Sequence, residues 1–222
     1  MKKDNRGFTL IEILAAVTIL GILSAIAMVS VNKVIQKGKE QHYKTAEKQM
    51  ELAGQSYVQQ NRSSLPKAIG QKTKIPLSIL ISKNYIEPIK DYNEQECNEN
   101  DSYVQIFKYS QSDYSYLQHL KCNDVYETKP ELIKGTPTIV ITDAGTTINV
   151  SIEDTEKLLS WSYIIYKSGR EVKNSGSIAI PNYDKQIEKT IKLTEYLPRP
   201  LKVEVTATNI YGITSKEKIS LD

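Results

Sequence analysis

The chain has little of what most enzymes use for chemistry. Its 222 residues include two cysteines, two histidines, one tryptophan and two phenylalanines. Cys97 and Cys122 stand far apart with no histidine beside either, which argues against a thiol redox pair or a zinc site. There is no phosphate loop, no glycine-rich dinucleotide turn and no nucleophile motif, so the sequence gives neither an enzyme nor a cofactor. His42 and His119 read as surface or hairpin residues. Asp91 to Glu96 gathers acidic and amide side chains, but the sixth position of a calcium loop is Glu96 rather than glycine, and the twelfth is Ser102 rather than glutamate. That segment reads as a solvated loop.

Two further absences shape the amino-terminal quarter. Ile13 to Val31 carries no charge, a length that suits a membrane span of ~20 residues. Asn32 to Asn61 contains no proline, and Ala46, Met50, Ala53 and Tyr57 recur at steps of four, three and four, one face of a helix. Together Phe8 to about Gln60 predicts one helix on the order of 80 Å long, its second half packed on a globular head. Gly21, Gly38 and Gly54 are its weak points, each ~1 kcal/mol less favourable than alanine. The bias of a residue before proline out of the helical region makes Leu65-Pro66 the predicted stop.

Within this apolar stretch one residue is out of place. Glu12 sits near the start of the span, where a carboxylate is disfavoured, five residues after Gly7 and within the string Gly7-Phe8-Thr9-Leu10-Ile11-Glu12 that follows a short basic leader. The string resembles the processing and assembly signature of type IV prepilins and of the pseudopilins of type II secretion and DNA uptake. The resemblance covers roughly the first quarter of the chain. It implies that Gly7 is the last leader residue, cut by a membrane-embedded prepilin peptidase, and that Phe8 becomes an N-methylated amino terminus. Glu12 is then the carboxylate that pairs with this amine, drawn in pilins between neighbouring subunits. Three other readings compete: a secretory signal cleaved after Ala25-Ile26-Ala27, a plain signal anchor, and a buried helix of a soluble protein.

Lysines flank the span on both sides, so charge alone leaves its orientation open. The resemblance places Met1 to Gly7 in the cytoplasm and everything after about Asn32 outside. Formal charge is +3 for the whole chain, and without Lys2, Lys3, Asp4 and Arg6 it is near neutral, which gives nucleic-acid binding no support. In an exported domain Cys97 and Cys122 are expected to form a disulfide closing a loop of 25 residues.

The head is expected over residues 65 to 130. It contains a short apolar helix from Ile75 to Ile86 closed at Asn84, and a hairpin of Tyr103 to Tyr109 with Tyr114 to Leu120. This order also resembles heads of pilin-like proteins from Gram-positive bacteria. After Lys129-Pro130 the texture changes to about seven alternating segments: Thr138 to Thr142, Thr147 to Ile152, Ser160 to Tyr166, Glu171 to Ile180, Gln186 to Leu193, Leu201 to Thr208 and Ile213 to Leu221. Their spacing predicts a β-sandwich. Trp161 and the final hairpin resemble the central tryptophan strand and last hairpin of a bacterial immunoglobulin-like or fibronectin-like module.

The sequence therefore predicts an α+β protein: a leader (1–7), a transmembrane assembly helix (8–64), a disulfide-closed pilin head (65–130) and an immunoglobulin-like sandwich (131–222) with Trp161 in its core. The expected role is structural, a minor pilin of a type IV pilus or a similar filament, held in the cell membrane before assembly and at the bacterial surface after it. Its expected partners are other pilin subunits, the prepilin peptidase and methylase, the assembly platform, membrane lipid before assembly, and a host-surface or matrix ligand. No nucleic acid is expected outside a competence system. Two alternatives stay open: an adhesive module delivered by a pilin helix, and a pseudopilin of secretion or DNA uptake.

Overall fold

A computed structural model describes residues 9–222, apart from the side chains of 25–30, 132 and 133. The chain is α+β, a long amino-terminal helix followed by antiparallel sheets. It divides into two compact units, Met1–Ala46 and Glu47–Asp222. Helix α1 (Leu10–Gln60, 51 residues) runs through the first and into the second. In the first unit its apolar side chains are exposed from Leu10 to Leu23 and again at Val31, Val34 and Ile35. Among the described residues no helix is long and apolar enough to cross a membrane.

In the second unit the helix is amphipathic. Met50, Ala53 and Val58 are buried and Tyr57 is half-buried. Its end comes at Asn61, whose amide side chain donates to the Tyr57 carbonyl at 2.9 Å and whose backbone has left the helical region. A single 3₁₀ turn, Arg62–Ser64, precedes Leu65-Pro66. The head sheet is three-stranded, in the order β1 (Lys72–Pro76), β2 (Tyr103–Lys108), β3 (Tyr114–His119). The segment expected to be one helix from Ile75 is thus a strand end followed by the short α2 (Leu77–Ser82), because Pro76 closes β1 opposite Tyr103 and Asn84 stops the next turn at φ 59°. Gly54 lies against β2: a Cβ there would sit 2.9, 3.0 and 3.1 Å from three carbons of Val104, so the glycine permits the close approach of helix and sheet.

Besides β1, two small elements are not visible in the sequence, a hairpin of β4 (Lys121–Cys122) with β5 (Tyr126–Glu127) and helix α3 (Pro130–Lys134). Cys97 and Cys122 are joined in a disulfide that ties the loop after α2 to β4. Glu47 of α1, itself buried, accepts from Tyr126 Oη at 2.7 Å and from Thr128 Oγ1 at 2.6 Å. The same Thr128 hydroxyl accepts from the Leu120 amide at 2.8 Å. A buried carboxylate needs such donors, and here they fix the hairpin against the helix.

The remaining strands form two facing sheets. One has the order β11 (Gln186–Lys192), β7 (Thr147–Glu153), β6 (Thr138–Asp143). The other has the order β10 (Ile178–Ala179), β8 (Leu158–Lys167), β12 (Leu201–Asn209), β13 (Thr214–Leu221), with β9 (Arg170–Asn174) also on β8. Between them lies one core, with Ile148, Ile152, Leu158, Ile165, Val203 and Val205 fully or almost fully buried. The segment expected as one strand from Glu171 to Ile180 is broken into β9 and β10. Gly176 takes φ 63° there, and the Ser175 hydroxyl accepts from the Tyr163 amide in place of a ladder bond.

Strand β11 is an edge of regular register, pairing from Gln186 opposite Glu153 to Lys192 opposite Thr147 without a bulge. Ile187 and Ile191 point into the core, and the residue midway between them is Lys189, opposite the buried Val150. A lysine on the inward face of an edge strand hinders the addition of a further strand.

Two predictions follow from this packing. Gly54→Ala should lower the thermal midpoint of the full chain, because overpacking at ~1–3 kcal/mol exceeds the ~1 kcal/mol alanine gains in helix propensity; Gly38→Ala, with nothing within 4 Å of its Cβ position, should not lower it. Lys189→Val should produce concentration-dependent self-association in light scattering, while Lys192→Val on the outward face stays like the parent.

Candidate processing and assembly site

The start of α1 is built by two residues. The Thr9 carbonyl accepts the first helical bond from the Ile13 amide at 3.3 Å. The Thr9 hydroxyl accepts from the Glu12 amide at 3.4 Å, and the Thr9 amide and hydroxyl each donate to Glu12 Oε2 at 2.8 Å. This is a reciprocal capping box, a threonine at the cap and a glutamate three residues on, which satisfies backbone donors that a helix start otherwise leaves open. Carboxylate charge is also favourable at this end of the helix dipole. The motif Thr9-Leu10-Ile11-Glu12 carries the signal in plain sequence, and reading Glu12 only as a charge partner overlooks it. Among the described residues the other oxygen, Oε1, receives no hydrogen bond, so it remains open to a cation. Gly7 and Phe8 lie outside the described residues.

The other residues singled out in the sequence serve elsewhere. Cys97 and Cys122 close the head loop, both buried. Trp161 lies on β8, 6% exposed within the sandwich core, with the Tyr163 ring 5.7 Å away. Among the described residues no group of three or more His, Cys, Asp or Glu side chains is placed to hold a metal ion. In the Asp91 loop, Asp91 Oδ1 accepts from the Asn93 and Gln95 amides at 2.7 and 3.0 Å, an Asx-type turn.

A junction the sequence did not announce joins head to sandwich within the second unit. The β12–β13 turn is organised by the buried Asn209: its Oδ1 accepts from the Tyr211 and Ile213 amides at 3.0 and 3.1 Å, and its Nδ2 donates to Asp154 Oδ2 at 3.0 Å. The tip of this hairpin meets the head sheet. Ser115 Oγ donates to the Ile210 carbonyl at 2.6 Å and Lys72 Nζ to the Gly212 carbonyl at 3.0 Å. Gly212 has φ 72°, and a Cβ there would lie 2.8 Å from Lys72 Cε and 3.3 Å from Phe107 Cδ2. Lys134 of α3 adds its ammonium 4.6 Å from the Tyr211 ring. On the same head face Lys74 Nζ lies 3.9 Å from the Tyr103 ring, which stacks on His119 at 4.8 Å. His119 is held below its ordinary pKa, chiefly by burial, although Glu127 pulls the other way.

No curated protein matches the chain. Two solved structures are similar over part of their length: the spore cortex lytic enzyme SleM of Clostridium perfringens, at 20% identity over 38% of this chain and 26% of that one with a TM-score of 0.25, and the selenomethionine-substituted chicken interferon gamma receptor alpha chain, at 16% identity over 54% of this chain and 65% of that one with a TM-score of 0.27. The chain thus spans about a quarter and just under two thirds of these structures' own lengths. Residues 2–28 match the model of the prokaryotic N-terminal methylation motif. With Thr9 and Glu12 at the head of a long exposed apolar helix, the chain carries the amino-terminal signal of type IV pilins and pseudopilins.

Proposed function

We propose that the protein is a minor subunit of a type IV pilus or pilus-like filament, assembled through α1 and displaying the sandwich as an immunoglobulin-like module. The match of residues 2–28 to the methylation motif carries this reading. The signal implies processing by a prepilin peptidase, and other pilin subunits as partners. Cleavage after Gly7 creates an ammonium at Phe8, and Glu12 is suited to receive it: Oε2 is engaged by Thr9 while Oε1 is open. In a low-dielectric filament core the two charges relieve each other's burial cost only when they are brought together. The exposed apolar surface of Leu10 to Leu23, with Leu10 at 90% exposure, is the surface that lipid covers before assembly and neighbouring helices cover after it. A sandwich added to the head supports a low-copy position, since it enlarges each subunit in a helical array.

Mass spectrometry of the mature protein should find Phe8 at the amino terminus with one added methyl group. A chain beginning at Met28, the product of cleavage after Ala27, would overturn the reading. Glu12→Ala should leave the protein processed and membrane-bound but depleted from sheared filaments. Because Glu12 also caps the helix, Glu12→Gln separates the two roles: it retains a hydrogen-bonding cap and loses the charge. Depletion of both variants supports charge pairing, and normal incorporation of Glu12→Gln removes it.

A further inference from the structure

The junction between head and sandwich leaves a cleft of about 410 Å³ beside the hairpin tip, within the roughly 300–1,000 Å³ typical of small-molecule sites. Its two walls differ in chemistry. The sandwich wall carries a cross-strand row of hydroxyls: Thr208 of β12 lies opposite Ser160 of β8 on one side and Thr214 of β13 on the other, and the hydroxyls of Thr208 and Thr214 are 3.1 Å apart. The head wall is apolar, made chiefly by Ile69, which is 55% exposed, with a small part of the largely buried Phe107, and it carries the ammonium of Lys72. Among the described residues no carboxylate lines the cleft.

Lys72 makes no ion pair among the described residues. Its ammonium donates to the Gly212 carbonyl and lies 5.7 Å from the Phe107 ring. The side chain as a whole is exposed, yet desolvation at the ammonium end, followed by the charge of Lys74, lowers its pKa. A cation that is partly desolvated, beside a second cation and without a carboxylate, is electrostatically suited to an anion.

We propose that this cleft binds a sugar acid, a pyranose that carries a carboxylate. A pyranose has an apolar face of C–H groups and a rim of hydroxyls, which match the Ile69 and Phe107 wall and the hydroxyl row across from it. The carboxylate meets Lys72. Hydroxyl rows alone would bind neutral sugars as well, and Lys72 is the element that selects the acid. This goes beyond the filament reading and does not depend on it, since every group involved lies between residues 69 and 214.

The test is isothermal titration of the full chain in detergent micelles with D-glucuronate, D-glucose and inorganic phosphate. Glucuronate should bind, with glucose weaker by about tenfold, the size expected for loss of one charge-assisted contact. Lys72→Met should weaken glucuronate by about the same factor and leave glucose unchanged, while Lys72→Arg retains binding. Thr208→Val should weaken both sugars. Thermal melts of each variant establish that it is folded. Absence of glucuronate binding, or binding that ignores Lys72→Met in a folded protein, overturns the proposal. Phosphate binding as tightly as glucuronate would show an anion site without sugar recognition and overturns it equally.

Discussion

The contact of α1 with the head sheet is the constraint on which the second unit depends. Isolated helices gain little from propensity in water, and most of their stability in proteins comes from covering an apolar face. From Glu47 onward α1 has such a face, and it is covered at short range because residue 54 has no side chain. Glu47 marks the start of this packed half with a buried carboxylate, and its two hydroxyl donors come from the segment just past the disulfide. The head is therefore fastened to the helix in two ways, by close packing at β2 and by a polar anchor at β5 and Thr128.

The first unit follows the opposite rule. Between Leu10 and Ser24 its exposed apolar residues fall on every side of the helix, interrupted by Glu12 and Thr18, so that no single apolar face selects a partner. Orientation must be set elsewhere, and the polar features available are the capping box at the very start and the lysines beyond Val31. In the filament proposed above, a helix of largely apolar surface would leave a matched charge at Glu12 to fix its register. Glu12 contributes to the start of the helix through its bonds with Thr9, and the register role proposed above would fall to the same carboxylate.

Much of this was legible in the sequence, for identifiable reasons. The sandwich strands alternate apolar and polar residues because one side of each sheet is buried, and six of the seven expected segments lie close to the observed strands. Their one failure, at Glu171 to Ile180, came from Gly176 and the serines around it, where the backbone leaves the sheet. The short β1 was hidden because its sequence, Lys-Thr-Lys-Ile-Pro, is largely solvent-facing and lacks strong alternation. Gly54 was read as a weak point of the helix because propensity is local, whereas the nearness of Val104 is a fact of tertiary packing. Glu47 was passed over for a related cause: its donors lie about eighty residues away. The Thr9 to Glu12 cap was visible in plain text, but the stronger family signal in the same six residues concealed it. Nothing in the sequence revealed that the β12–β13 turn reaches the head.

That turn alters how the protein carries load. With only the α3 segment between them, head and sandwich would be beads on a string, and a pull on the sandwich would extend the linker before it reached the head. The hairpin tip adds a second path in parallel, through Gly212 and Ile210 into β1 and β3, so tension is shared between a covalent strut and a hydrogen-bonded latch. Without the two hydrogen bonds of the latch, α3 would be the remaining connection between head and sandwich on that side. In the filament proposed above, the latch would thus be loaded together with the backbone at each copy.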